Sequence, residues 1–449
     1  MFRSLGFRGG IHPPRYKNPT ADSPIEVLPP PAKVIIPVLQ HAGPSASILV
    51  KRGDRVRLGQ LIAEPSSPDS AAVHSSVSGV VLSVANFPHP LGAHVLAAEI
   101  ENDGQDLAVE TAGVDTPWKE AAPQEIVRKI FSCGVVGMGG TGVPAQVNLL
   151  PPANNPVDTV IVDCTGCEPF SVADSCLVKE HTDEILTGAL IVRKILGAKR
   201  AIVVADSSAA DVASSLSDAC KDEKFRDLSV AVVKPKYPQS DEKILVRTLT
   251  KREIPSGGNP ADAGCTVHSA ATVLAIVRSV LSGTPLYQRT LTAGGPCVST
   301  PKNLLVRLGT PVRNVLEFCG TDLQRAKKVV MGGPMRGSAQ AELDAPVIKT
   351  TYGVFAFDTL VPGVRNYNCI GCGRCTRACP MRLSPAYLMR FVDKNNMVDA
   401  QQWGVEDCIE CGSCAYVCPA KINLVHFMKL GKYRVKNAAA SRAAPGAAA

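Results

Sequence analysis

The chain lacks several features that would each open a broad functional class. No run of about 18 uninterrupted apolar residues occurs, so the sequence predicts no membrane span of its own. The longest candidate, His268 to Gly283, is interrupted by Arg278 and reads as a packed helix. The opening MFRSLGFRGGIHPPRYKNP holds no apolar segment ahead of a cleavage site, so export by a signal peptide is not expected. Aromatic residues make up only 5% and nowhere interleave with a basic stripe, so nucleic acid is not an expected partner.

Cysteine, by contrast, is abundant: there are 16. In a small secreted protein that count would mean a disulfide framework, but the chain is 449 residues long and eight of them crowd between Cys369 and Cys418 at ligand spacings. The other eight, Cys133, Cys164, Cys167, Cys176, Cys220, Cys265, Cys297 and Cys319, are scattered and read as buried reduced thiols. The crowded eight form the template C-x-x-C-x-x-C-x-x-x-C-P twice, in NCIGCGRCTRACP and DCIECGSCAYVCP. Three thiolates two residues apart wrap one face of an iron–sulfur cube, and the fourth, beside its proline, leaves for the other cube. The spacing therefore assigns Cys369, Cys372, Cys375 and Cys418 to one [4Fe–4S] cluster and Cys408, Cys411, Cys414 and Cys379 to a second. Zinc needs four ligands and has no use for the third cysteine of a C-x-x-C-x-x-C run with a trailing C-P, repeated twice. Such clusters move single electrons and do no bond chemistry alone, so a donor and an acceptor are expected elsewhere.

The length fits about three domains, and 37 Gly with 35 Pro imply frequent turns. Residues 1–32 are Pro-rich and read as an extended arm draped over another domain. From residue 33 to about 115, short β-rich runs recur, and V-x-x-G-D-x-V-x-x-G-Q followed by SGVV resembles the flattened barrel of biotinyl and lipoyl carriers. No lysine stands between Glu64 and Gly79, so this barrel-sandwich lacks the carrier's modified residue and is expected to be structural. Next comes GVVGMGGTGVPAQVN, in which Gly137, Gly139, Gly140 and Gly142 with Pro144 predict backbone amides facing an anion at a helix start. Apolar strands at 157–164, 200–206 and 228–235 then alternate with helices at 184–199, 208–220 and 240–250. That alternation predicts a doubly wound parallel α/β sheet with ligands at the carboxyl ends of its strands. Glu168, in the loop CTGCEPF, is a candidate for hydroxyls of a bound cofactor, or else a helix-start carboxylate. Lys236 and Tyr237, in KPKYPQ, are candidates for a phosphate and a ring, or else a solvated lysine and a packed tyrosine. His268 reads as an ordinary packed histidine, and His12 and His41 carry no expected role. Residues 285–345 return to short strands in a small mixed module, and the tail after Tyr433 has too few large apolar residues to fold alone.

The ordered motifs GGIHPPRYK, VLPPP, VHSSVSG, the Gly-rich loop, CEPF, KYPQSDEK, PSGGNPAD, VRLGTPV, GGPM and both cysteine templates resemble the C subunit of the Rnf complex, the bacterial membrane-bound ferredoxin:NAD⁺ oxidoreductase that couples electron flow to Na⁺ or H⁺ transport. The resemblance covers roughly residues 8–430. It implies a multidomain α/β protein: arm 1–32; barrel-sandwich domain 33–115; flavin/NAD domain 116–283 similar to the complex I flavin subunit; a soluble-ligand-binding β-grasp module 284–350; a ferredoxin-like two-cluster domain 351–432; and a disordered tail 433–449. It also implies FMN exchanging hydride with NAD(H), partner subunits of a membrane complex that include an iron–sulfur subunit taking electrons from ferredoxin, and a peripheral place on the cytoplasmic face. The chain departs from the family's G-G-x-x-F-P-T-H-V-K and N-x-x-E-C-E-P-Y patterns: Asn148 stands where a lysine is usual, Asp163 where an Asn is usual, and Gly166 where a Glu is usual. Losing a cation and gaining Asp163 weakens an anionic cofactor's site. A relay without flavin is thus a second expectation, and a related microcompartment cobalamin reductase a third. Of the net charge of +8, the stretch from Arg365 to Ala449 carries 12 Lys/Arg against 5 Asp/Glu, or +7, which suits acidic electron-transfer partners.

Overall fold

The computed structural model describes residues 5–152, 154–359 and 368–443, the side chains of 439–443 excepted. The barrel-sandwich pairs a sheet of Lys33–Pro37, His94–Asn102, Gly79–Pro88 and Arg55–Val56 with a second of Ser47–Ile48, Leu61–Glu64 and Val73–His74. Alternation sends Val34, Ile36, Ile62, Ala98 and Ile100 into one core and the charged residues outward.

The predicted alternation holds in the next unit. Four parallel strands lie in the order Leu228–Val233, Arg200–Asp206, Thr159–Asp163, Cys265–Ser269. The strand at 200–206 is found as expected, and the helices at 208–220 and 240–250 appear as Ala210–Ala219 and Glu242–Thr250. The helix placed at 184–199 instead begins at Ala173 and runs to Leu196, with a break at His181, where φ is −132°. The apolar stretch from His268 divides: Cys265–Ser269 is the fourth strand, and the helix runs from Ala270 to Ser282 with Ser269 Oγ capping Thr272 N. That helix buries Val273, Ile276, Val277 and Val280 against the long helix 173–196. With the fourth strand beside the first, the order of strands across the sheet reverses between Thr159–Asp163 and Cys265–Ser269, and this opens a crevice at their carboxyl ends.

The β-grasp sheet is larger than its expected bounds. Its order is Ile25–Val27, Lys302–Arg307, Gln288–Gly294, Gly353–Phe357, Lys328–Met331, Ser338–Gln340. The arm therefore donates an edge strand, paired parallel as Glu26↔Leu304, and the sheet ends at Phe357 rather than at residue 350. The rest of the arm does drape. Leu5 bridges to Val233 and Ile11 to Tyr237, Arg15 meets Asp206 at 2.9 Å, and Gly10 N donates to Ala378 O at 2.8 Å.

The C-terminal unit is built of short helices, Arg374–Ala378, Pro385–Asp393, Met397–Gln402 and Ser413–Tyr416, closed by Leu424–Ala443. This last element corrects the disordered tail expected from residue 433. Leu424, Met428 and Val435 are buried, Met428 and Val435 packing with Leu388, Val392 and Val405, and Leu424 with Cys375, Cys414 and Cys418. A helix so anchored extends through Ala, Lys and Arg, all strong helix formers, without further apolar residues. Residues 444–449 lie outside the described residues.

Candidate functional site

A cavity of about 730 Å³ occupies the crevice at the carboxyl ends of the first and fourth central strands. Its floor is the loop after Thr159–Asp163. Asp163 Oδ1 accepts from Thr165 N (2.9 Å) and Thr165 Oγ1 (2.7 Å), and Thr165 Oγ1 lies 2.7 Å from Ser240 Oγ. Cys167 N donates to the same Ser240 Oγ at 3.1 Å, so two loops of the sheet are pinned together. Gly166 has φ +54°, a left-handed conformation that favours glycine over the glutamate usual there. Lys17 Nζ, from the arm, donates to Gly166 O.

Glu168 lines the cavity and is buried. Its Oε2 accepts from Met335 N at 3.0 Å and its Oε1 lies 3.3 Å from Tyr237 OH. Neither bond is a helix-capping one, and Glu168 lies five residues ahead of the helix at Ala173. Desolvation by burial pushes its carboxyl up to about 7 and that of Asp163 up to about 6, so both sit closer to neutrality than a surface acid. Glu242, also on the wall, is pushed by burial to about 7.

Of the four glycines, Gly137 and Gly139 line the cavity. Gly140 and Gly142, with φ +103° and +68°, instead shape the turn, which Gly142 N closes onto Gly137 O at 3.0 Å. The helix that follows, Ala145–Leu149, has only five residues, so the helix-dipole contribution expected at Pro144 is small. Lys236 does not reach the cavity: its Nζ donates to Phe7 O at 3.1 Å and lies over the Phe7 ring. Tyr237 is buried behind the wall rather than exposed for stacking. His268 also lines the cavity, though its Nε2 is engaged by Thr266 Oγ1 at 3.0 Å.

No sequence motif marks Arg336 as a site residue. It lines the cavity, its Nη2 donates to Asp241 Oδ2 at 2.7 Å, and its buried Nε has no partner among the described residues. Gln146 Oε1, also on the wall, is likewise unpaired. An orphaned guanidinium donor in a cavity with glycine backbone and hydroxyl-bearing Ser269 and Thr272 fits a phosphorylated, hydroxyl-rich cofactor such as FMN. The only sequence signal for Arg336 was its position after GGPM.

The eight clustered cysteines fall into two hollows. Cys369, Cys372, Cys375 and Cys418 line one, and Cys379, Cys408, Cys411 and Cys414 line the other. Each hollow thus gathers three cysteines of one template and the fourth of the other, a donor set of four thiols of the kind that iron–sulfur clusters take. Tyr237 OH donates to Cys411 O at 2.7 Å, so the second hollow lies two hydrogen bonds from the cavity acid Glu168. Cys372, on the other hollow, is exposed.

Three family models match along the chain: the RnfC barrel sandwich hybrid domain over residues 5–105, the Nuo51 FMN-binding domain over 130–278, and the 4Fe-4S dicluster domain over 363–419. The chain is 39% identical over 397 residues to the C subunit of the proton-translocating ferredoxin:NAD⁺ oxidoreductase complex of Clostridium ljungdahlii, covering 88% of this chain and 86% of that one. It is 35% identical to the Na⁺-translocating counterpart of Acetobacterium woodii, covering 87% and 88%. It is also 35% identical to the C subunit of an ion-translocating oxidoreductase complex of Rhodobacter capsulatus, covering 90% and 78%. With 35–39% identity over 87–90% of its length, the chain belongs to the family of C subunits of ion-translocating ferredoxin:NAD⁺ oxidoreductase complexes.

Proposed function

We propose that this chain is the peripheral electron-transfer subunit of a membrane-bound, ion-translocating ferredoxin:NAD⁺ oxidoreductase, passing electrons between NAD(H), FMN and two [4Fe–4S] clusters. The observation that carries the reading is the adjacency of the 730 Å³ cavity and the hollow of Cys379, Cys408, Cys411 and Cys414, joined through Glu168, Tyr237 and the Cys411 carbonyl. When bound, the flavin supplies the exchange between a two-electron hydride donor and one-electron carriers.

Within this reading Arg336, Gly137, Gly139, Ser269 and Thr272 hold the cofactor, Arg336 through the donor left free by its pair with Asp241. Glu168, raised to about 7, and Asp163 below about pH 6 carry less negative charge toward an anionic ligand than surface acids would, which offsets part of the cation lost at Asn148. Cys379, Cys408, Cys411 and Cys414 ligate the inner cluster. Cys369, Cys372, Cys375 and Cys418 ligate the outer one, whose exposed side carries Arg374, Arg377 and Lys421. Those cations suit an acidic iron–sulfur partner. Among the described residues no helix is long and apolar enough to cross a membrane. Attachment is through partner subunits, on the cytoplasmic face where NAD(H) and reduced thiols are found.

Anaerobic reconstitution with iron, sulfide and FMN, followed by NADH, tests this. The expected result is iron for two [4Fe–4S] clusters, one flavin per chain, and bleaching of the flavin band by NADH. Full iron without flavin would instead support a relay role, to which the acid-rich wall of Asp163, Asp241 and Glu242 points.

A further inference from the structure

We infer that Tyr237 is a positioning residue that couples the cofactor cavity to the inner cluster: its one hydroxyl hydrogen is contested by the Cys411 carbonyl and the Glu168 carboxyl, so events at Glu168 are felt at the cluster held by Cys411. This rests on the proposed assignment of Cys379, Cys408, Cys411 and Cys414 to that cluster.

The phenol carries a single O–H donor, yet two acceptors face it, Cys411 O at 2.7 Å and Glu168 Oε1 at 3.3 Å. The shorter contact takes the hydrogen. Glu168 can then complete the chain only as a donor to the phenol oxygen, and burial favours the protonated form that does so. The groups facing Glu168 are Tyr237, Tyr352, Cys167, Lys17 and Arg336. When Glu168 is ionised it competes for the hydrogen and draws it from the Cys411 carbonyl. A donor on the carbonyl of a ligand residue pulls density from the cluster and favours its reduced, more negative state. The cluster gains or loses one electron in this, and no bond is made or broken.

The surroundings make the link rigid. Tyr237 is only 2% exposed, and its backbone exchanges hydrogen bonds with Ile11, Tyr237 N to Ile11 O at 3.0 Å and Ile11 N to Tyr237 O at 2.9 Å. Met335, whose N–H holds the other oxygen of Glu168, packs with Tyr237 and Cys411 in one apolar cluster. A hydrogen bond held in such a dry setting responds strongly to the charge of its neighbour.

The test is a set of midpoint potentials read by EPR-monitored redox titration of the reconstituted chain and of Tyr237→Phe, Glu168→Gln and the double variant, with iron counted on each. In Tyr237→Phe one cluster should become harder to reduce by up to tenfold in its reduction equilibrium, which is about 59 mV for one electron, while the other stays put. Glu168→Gln should make the same cluster easier to reduce, and at least half of that shift should vanish in the Tyr237→Phe background. Unmoved potentials in Tyr237→Phe, or a Glu168→Gln shift of equal size in both backgrounds, would overturn the coupling in favour of through-space charge alone. Loss of iron from Tyr237→Phe alone would overturn it in favour of a purely structural tyrosine. Absence of the inner cluster from the parent chain would refute the cluster assignment itself.

Discussion

Lys349 Nζ donates to Ala72 O at 2.6 Å, so a fully buried side chain on the segment between the β-grasp strands Ser338–Gln340 and Gly353–Phe357 is tied to the backbone of the barrel-sandwich. A second bond, to Gly134 O at 2.7 Å, ties it to the entrance of the Gly-rich loop as well. Three units thus converge on one cation. Burial pushes its pKa down to about 7 from 10.5, with Cys133 opposing weakly. Between those values the folded chain binds fewer protons than the unfolded one, so stability rises with pH through this window. The apparent melting temperature of the parent protein should climb relative to that of Lys349→Met between pH 7 and 9.5. An unchanging difference, measured by differential scanning fluorimetry, would contradict a buried titrating lysine.

Asp163 gives a second pH signature, on binding. Its carboxyl, raised by burial to about 6, bears its charge only above that pH. Affinity for FMN should therefore fall as pH rises through 6 in the parent chain. In Asp163→Asn this component should be absent, and affinity at pH 7.5 higher by about tenfold, the scale of one unit charge roughly 12 Å away at an effective dielectric near 20. The flavin phosphate titrates in both proteins, so the difference between their fluorescence-quenching curves isolates the carboxylate.

How much of this could be read beforehand follows from what sets each feature. RAIVVAD was legible to the residue because a continuous apolar run between polar ends has one good home, a strand covered on both faces. The strand CTVHS shows no apolar run, and its end, His268 and Ser269, reads as the start of the helix, because Thr266, His268 and Ser269 are polar residues that line the cavity. The two cysteine templates were legible because ligand spacing is local. Arg336 and Lys17 were not singled out because they reach the Glu168 loop from 168 residues downstream and 151 upstream, and no periodicity connects such distances. Lys236 and Tyr237 were located in the right loop, but which side of it faces the cavity is decided by the arm, through Phe7 and Ile11.

In the proposed reading Arg336 supplies the cation that is missing at Asn148. A charge-assisted hydrogen bond contributes about 1.5–3 kcal/mol, so Arg336→Met should weaken FMN binding by about tenfold or more. It also strands Asp241, which is only 8% exposed, without its partner. Asn148→Lys in the same background should restore part of the affinity, because Asn148 lines the same cavity. No recovery would place the phosphate away from both residues.

The crossed division of thiols makes the last prediction asymmetric in sequence but symmetric in outcome. Cys418 lies in the second template, yet it lines the hollow of Cys369, Cys372 and Cys375. Cys379 lies in the first template, yet it lines the hollow of Cys408, Cys411 and Cys414. Cys418→Ala should therefore lose or degrade the outer cluster while the inner one, beside the cavity, still accepts electrons from NADH-reduced flavin. Cys379→Ala should do the reverse: the outer cluster assembles but stays oxidised after NADH, because the step nearest the cavity is gone. EPR of the two variants after NADH addition separates these results. An uncrossed pairing would exchange them, since each template would then close its own cube.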